Sequence, residues 1–146
     1  MTLFVRFAGL SEAIGTLRKL PKELEHKTIL RMSQVAYDEA LAGADRHHKT
    51  GALRQSLYNR EIPTGREVGH DTQRAPHAVF VQLGTRPHEI RPKDKKALRW
   101  ASGGEFIFAR LVRHPGYIGD AYLISAATAA VREFRRIIDD IFKEQG

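Results

Sequence analysis

Leu3, Val5 and Phe7 alternate with Phe4, Arg6 and Ala8, the period-two spacing of a strand with one side more apolar than the other. Gly9 breaks the pattern, and Ser11 can cap a helix expected to follow, with Glu12 favourable near its positive end and Ile14 and Leu17 spaced for burial. Pro21 restarts the chain, because proline is best tolerated in a first helical turn. From Lys22 the positions Leu24, Thr28, Leu30 or Arg31, Val35, Ala36, Glu39, Ala40 and Gly43 recur at helical spacing. They predict a long helix to about His47, ended by Thr50-Gly51.

Further along, Ser56 to Ile62 and Arg66 to His70 flank Pro63-Thr64-Gly65, the composition of an antiparallel hairpin. Pro76 to Leu83 reads either way, since Pro76 suits a helix start while Val79, Val81 and Leu83 alternate like a strand; Gly84 ends it in both cases. Phe106 to Val112 carries apolar side chains on both faces, which predicts a central strand, and Ser102-Gly103-Gly104 before it reads as a turn. After His114-Pro115-Gly116, Asp120 is placed to cap a C-terminal helix. That helix presents Leu123, Ala127, Ala130 or Val131, Phe134, Ile137 or Ile138 and Ile141 on one side, and Arg132, Glu133, Arg136 and Asp140 on the other. The expected fold is α+β: a small, mostly antiparallel sheet packed against the long N-terminal helix and the C-terminal helix.

A chain of 146 residues fits one domain, here residues 1–146, since about 100–150 residues is the commonest domain size. There is no cysteine, which excludes disulfides, thiolate zinc sites and cysteine nucleophiles and fits a reducing cytoplasm. No stretch approaches the roughly 18 apolar residues of a membrane span, and no signal peptide core opens the chain, so a soluble protein without membrane contact is expected. The net charge of +7 brings a polyanionic partner into consideration. Much of it is local: Arg86, Arg91, Lys93, Lys95, Lys96 and Arg99 face only Glu89 and Asp94 in the same stretch, a local excess of four positive charges. This predicts a mobile basic loop at about 86–104, which is solvated, meets an acidic neighbouring subunit, or lies against DNA.

Seven histidines (His26, His47, His48, His70, His77, His88 and His114) invite a metal reading. Their spacing shows no His-x-x-x-His or His-Glu-x-x-His pattern, so they read as surface or turn histidines and no metal or other cofactor is expected. Ser56 lacks a Gly-x-Ser-x-Gly setting, and no acid pair has a catalytic context. A small basic ribonuclease or toxin would need only His88 or His114 as general base and Arg91 or Lys93 to stabilise developing phosphorane charge. A nonenzymatic nucleic-acid binder would use Trp100 and the basic run, mixing aromatic and cationic residues as single-strand binders do.

Several short signatures follow one another in fixed order: Thr50-Gly51-Ala52-Leu53 with Ser56, Leu83-Gly84-Thr85, His88 with Ile90, Pro92 and Lys93, and His114-Pro115-Gly116. Each joins a backbone-directing residue to a small polar or apolar one, which specifies turns and joints rather than catalysis. In this order, from roughly Phe4 to Phe142, the chain resembles the tail-completion, minor tail-component or neck proteins of tailed bacteriophages and prophages. His77 stands where that family usually has Tyr, and Gln82 where it usually has Glu. The resemblance implies a noncatalytic structural part of the virion, made in the host bacterial cytoplasm and acting at the head–tail junction. Its implied partners are other tail and head-connector proteins and copies of itself in a ring, with DNA contact possible for the positive charge. The stretch Arg86 to Trp100, including His88, Arg91, Lys93, Lys95, Lys96 and Arg99, is the candidate assembly element.

Overall fold

The computed structural model describes residues 3–6, 21–47 and 49–145. The expected helix carrying Ser11, Ile14 and Leu17 lies outside them. In chain order the elements are β1 (Leu3–Arg6), α1 (Lys22–Asp45), α2 (Ala52–Ser56), β2 (Leu57–Ile62), β3 (Gly65–His70), α3 (Ala78–Leu83), β4 (His88–Ile90), β5 (Leu98–Ser102), β6 (Glu105–Ala109), β7 (Val112–His114) and α4 (Tyr122–Lys143). The fold is mixed α+β, with the two long helices packed on a small antiparallel sheet of order β1-β3-β2. The hairpin read around Pro63-Thr64 is present as β2 and β3, and the ambiguous Pro76–Leu83 segment is helical from Ala78.

Helices α1 and α4 run antiparallel: Gly43 lies against Tyr122, and Arg31 at the other end pairs with Glu144 at 2.6 Å. Small residues make the approach close. Ala36, Ala40, Gly43 and Ala44 from α1 are buried, as are Ala126 and Ala130 from α4, while Met32, Tyr122, Ile137 and Ile141 fill the remaining volume. The buried stripe of α1 differs from the predicted one. Leu30 and Glu39 are exposed and Arg31 is in the ion pair, while Met32 and Ser33 are buried in their place. In α4, Ala130 and Ile137 are the buried members of their pairs, and Val131 faces outward.

The sheet's inner side offers Leu3, Val5, Leu57 and Val68 to the helices. Its outer side carries Arg6, Glu67 and Arg60 in one cross-strand row and Phe4, Gly69 and Tyr58 in the next. Glu67 is buried there beneath its own neighbours. Arg6 and Arg60 donate to it at 3.0 and 2.7 Å and Tyr58 at 2.8 Å. Loss of water pushes this carboxyl up, but the three donors outweigh that and hold it below the usual carboxylate range. Burial, followed by the bond to Glu67, pushes the Tyr58 hydroxyl up to about 12.

Two predictions about α4 and the last strand fail. Asp120 does not cap α4. Its carboxylate accepts from Arg46 at 3.0 Å and contacts His47 at 2.9 Å, which holds it below the ordinary range, chiefly through His47. The buried Gln82 of α3 takes the capping role, its Oε1 accepting the Leu123 backbone N–H at 3.3 Å. Nor is Phe106–Val112 a central strand: among the described residues β6 pairs only with β5, and β7 only with β4, in two separate two-stranded sheets.

A Cβ added at Gly43 would lie 2.5 Å from Cβ and Cγ of Tyr122. Intrinsic helix preference favours alanine over glycine by about 1 kcal/mol, so the packing and propensity effects have opposite signs. Gly43→Ala is expected to lower stability by about 1–3 kcal/mol in urea unfolding because the helices must part; a stabilised variant would contradict this close approach.

Candidate functional site

The residues from Thr85 to Tyr117 form a single nested arm. Thr85 and Tyr117 exchange backbone hydrogen bonds at 2.8 and 2.9 Å. Beyond that bridge His88 pairs with His114 and Ile90 with Val112, and then Leu98 pairs with Ala109 and Ser102 with Glu105 around the Gly103-Gly104 turn. Between the two paired stretches the seven residues Arg91 to Ala97 oppose only Arg110 and Leu111, so five are extruded as a bulge. The anticipated loop at 86–104 is thus not a loop throughout: it contains β4 and β5 and belongs to one side of a hairpin. Its irregular centre is the bulge, where Lys93, Lys95 and Lys96 are exposed and Pro92 is half-buried.

The family-like signatures converge at the two joints of the chain. Gly84 (φ +76°) and Gly116 (φ +89°) flank the bridge at the arm's base, in a backbone region that L side chains rarely adopt. A Cβ on Gly116 would lie 2.7 Å from the Thr85 carbonyl oxygen, and one on Gly84 would collide with that of Tyr117. Leu83-Gly84-Thr85 and His114-Pro115-Gly116 are therefore the two halves of one hinge-like junction. His88 and His114 stack across it with ring centroids 5.0 Å apart.

The second joint is Thr50-Gly51-Leu53-Ser56. Gly51, at φ 75°, opens α2 rather than closing α1, whose last residue is Asp45. Leu53 and Ser56 are buried. Ser56 Oγ donates to the Leu53 carbonyl at 2.8 Å and so accepts from His70 Nδ1 at 2.8 Å; Tyr122 donates its hydroxyl to His70 Nε2 at 2.8 Å. His70 is thus no surface or turn histidine. It is fully buried as the neutral Nδ1–H form, and burial pushes it down to about 4. Ser56 borders a shallow groove with Tyr58, Arg60 and Asp71, but its hydroxyl is committed to this closed relay.

The arm's tip is apolar on both faces. Leu98, Trp100, Ile107 and Ala109 share one side; Ala101, Phe106 and Phe108 share the other with Arg99, whose guanidinium lies 4.3 Å from the Phe106 ring centroid. Phe106 is 59% exposed and Phe108 64%. A lone two-stranded hairpin is marginally stable in water, and aromatic patches left open on a projecting element mark contact surfaces. From Thr85 to Tyr117 eight Lys or Arg face three acids, an excess of five positive charges in a chain of net +7. Of these, Arg91 and Arg113 are drawn to Glu89 at 2.9 and 3.7 Å.

The structure brings Arg86 and His88 together with His114, Pro115 and Gly116 at the base. It sets Arg99 and Trp100 on opposite faces of the tip, and lifts Lys93, Lys95 and Lys96 out between them. Reasoning from sequence missed Phe106, Ile107 and Phe108 as surface residues, and Tyr117, Lys49 and His77 as companions of the base. The available signal was Leu98 to Trp100 mirrored across Gly103-Gly104, a hairpin pattern hidden by the basic run before it.

Among the described residues, no group of three or more His, Cys, Asp or Glu side chains is placed to hold a metal ion, and no helix is long and apolar enough to cross a membrane. No protein-family model matches the chain, and neither a curated protein nor a solved structure does.

The relay gives a pH signature. Because His70 resists protonation in the folded state, the unfolded chain binds the extra proton. Stability is therefore full above the ordinary imidazole value of about 6.5 and falls on acidification until about pH 4. The expected loss is on the order of 3 kcal/mol. Asp120 and Glu67, held low, withdraw their own contributions only below the ordinary carboxylate values of about 4. Urea unfolding across that interval should show this slope in the wild type and a shallower one in His70→Asn; identical slopes would contradict the relay.

Proposed function

We propose that this chain is a structural assembly protein of a tailed phage or prophage that acts at the head–tail junction and carries out no catalysis. The observation that carries this reading is the arm: a basic projection from Thr85 to Tyr117 whose tip is aromatic on both faces and, among the described residues, has at most slight contact with elements outside the arm. A body held by α1, α4 and the three-stranded sheet with an uncovered arm suits a subunit that joins others. The Gly-Thr and His-Pro-Gly signatures behind the family resemblance are the residues that build the arm's base. Copies of the chain would form a ring on the connector or tail, with the arm reaching a neighbouring subunit, a head-connector or tail partner. DNA contact is a further use of its charge.

A second reading, the small basic ribonuclease or toxin, draws on the stacking of His88 and His114. General acid–base work requires imidazoles within reach of one scissile group, and these two share one junction. Arg91, however, is engaged by Glu89. Loss of RNA cleavage in His88→Ala or His114→Ala with the fold intact would favour it.

Electron microscopy of an induced lysate with an early stop codon in this gene tests the first reading. Filled heads beside separate or defective tails are expected, rescued by the wild-type protein supplied in trans. A Phe106→Ser/Phe108→Ser variant, changed only at exposed positions, is expected to melt like the wild type and fail to rescue. Intact infectious particles from the stop-codon lysate would sink the proposal.

A further inference from the structure

We propose that the cleft at the base of the arm is a binding site for an acidic polypeptide segment, and that occupying it takes up a proton on His88. The cleft, about 860 Å³, is lined by Lys49, His77, Arg86, His88, His114 and Tyr117, with Phe80 and Ile90 supplying apolar surface beside them. Among the described residues no carboxylate lines it, and neither Lys49 nor Arg86 forms an ion pair. Two free cations and three imidazoles thus converge on one concavity, a set of donors suited to anionic oxygens. Apolar side chains between them suit the methylene stems of Glu or Asp better than the outer surface of a nucleic-acid duplex.

The ring hydrogen bonds assign different roles to the two stacked histidines. His88 donates from Nδ1 to the Arg86 carbonyl at 2.8 Å, so its uncommitted Nε2 is an acceptor while the ring is neutral. His114 Nδ1 accepts the Gly116 backbone N–H at 3.1 Å, so its Nε2 already carries a proton and can donate. A carboxylate held between them is served by His114 at once. His88 serves it only after gaining a proton at Nε2, which costs no existing bond; protonating His114 would break the bond from Gly116. The other groups facing His88 are Lys49 ahead of α2, His77 ahead of α3, Arg86 on its own segment and Tyr117 after β7, while Glu89 is turned to Arg91 and Arg113. Binding of the segment is therefore tighter at lower pH.

Naming the segment as part of an assembly partner rests on the proposed function; the cleft itself does not. The test is calorimetric titration with a peptide of about ten glutamates at low salt, near pH 6 and near pH 8. One site per chain is expected, at least about fivefold tighter at the lower pH. The exposed pair Lys49→Ala/Arg86→Ala should weaken it about tenfold or more, and His88→Gln should flatten the pH dependence. The bulge variant Lys93→Ala/Lys95→Ala/Lys96→Ala should bind nearly as the wild type does. Equal losses in the bulge and cleft variants, no pH dependence, or no binding would overturn the site, as would equally tight, equally variant-sensitive binding of a DNA duplex. Failure here beside separated heads and tails in the stop-codon lysate would overturn the cleft alone and leave the assembly reading standing.

Discussion

The hydroxyl of Tyr122 ending on His70 Nε2, with His70 Nδ1 in turn on Ser56, is the interaction on which the rest of the fold depends. Tyr122 begins α4, lies against Gly43 of α1 and stacks near His47 at 6.1 Å. His70 ends β3, and Ser56 ends α2. One buried chain of two hydrogen bonds therefore fixes the start of the C-terminal helix, the end of the central strand and the joint between the long helix and the hairpin. A polar relay at this depth is tolerable because every member is satisfied. Left half-made, each buried group would cost about 1–3 kcal/mol. Asp120 with Arg46 and His47, just outside the relay, holds the same junction from the solvent side.

From that anchored corner the arm departs. The bond from Asp120 N–H to the Val81 carbonyl and the cap from Gln82 to Leu123 tie α3 to the start of α4, so both ends of the arm leave the body side by side. The Thr85–Tyr117 bridge then closes the base. The body has a core at the α1–α4 contact and the inner side of the sheet, although Phe80, Ile124, Val131 and Phe142 remain exposed on it; the arm has no such core and keeps Trp100, Phe106 and Phe108 exposed. Such a division is costly for a free protein, because it displays aromatic surface, and useful for one that becomes part of a larger assembly.

Much of the body was legible in the sequence. The helical repeat from Lys22, the hairpin around Pro63-Thr64 and the apolar stripe of α4 are each set by local periodicity, which survives folding. Positions decided by distant partners were not. Glu67 sits on the outer side of the sheet and reads as solvent-exposed, yet Arg6, Tyr58 and Arg60 bury it. His70 looks like a turn histidine until Ser56 and Tyr122 are brought to it. Asp120 has the chemistry of a cap, but two basic residues at the end of α1 claim it first. Phe106 to Phe108 misled for another reason: apolar residues on both faces describe a central buried strand and an exposed hairpin strand equally well. The candidate site was half visible, since the Gly-Thr, His and His-Pro-Gly signatures were found individually, but only the nested register shows that they form one junction.

The central proposal is that the arm, unlike the body, is completed by a partner. Amide hydrogen exchange, followed for the isolated chain and for the chain within purified particles, tests it most directly. The account predicts slow exchange in α1, β3 and α4 in both samples, and fast exchange from Leu98 to Ala109 in the isolated chain that becomes slow in the particle. Strong protection of that hairpin in the isolated chain, or continued fast exchange within the particle, would contradict it.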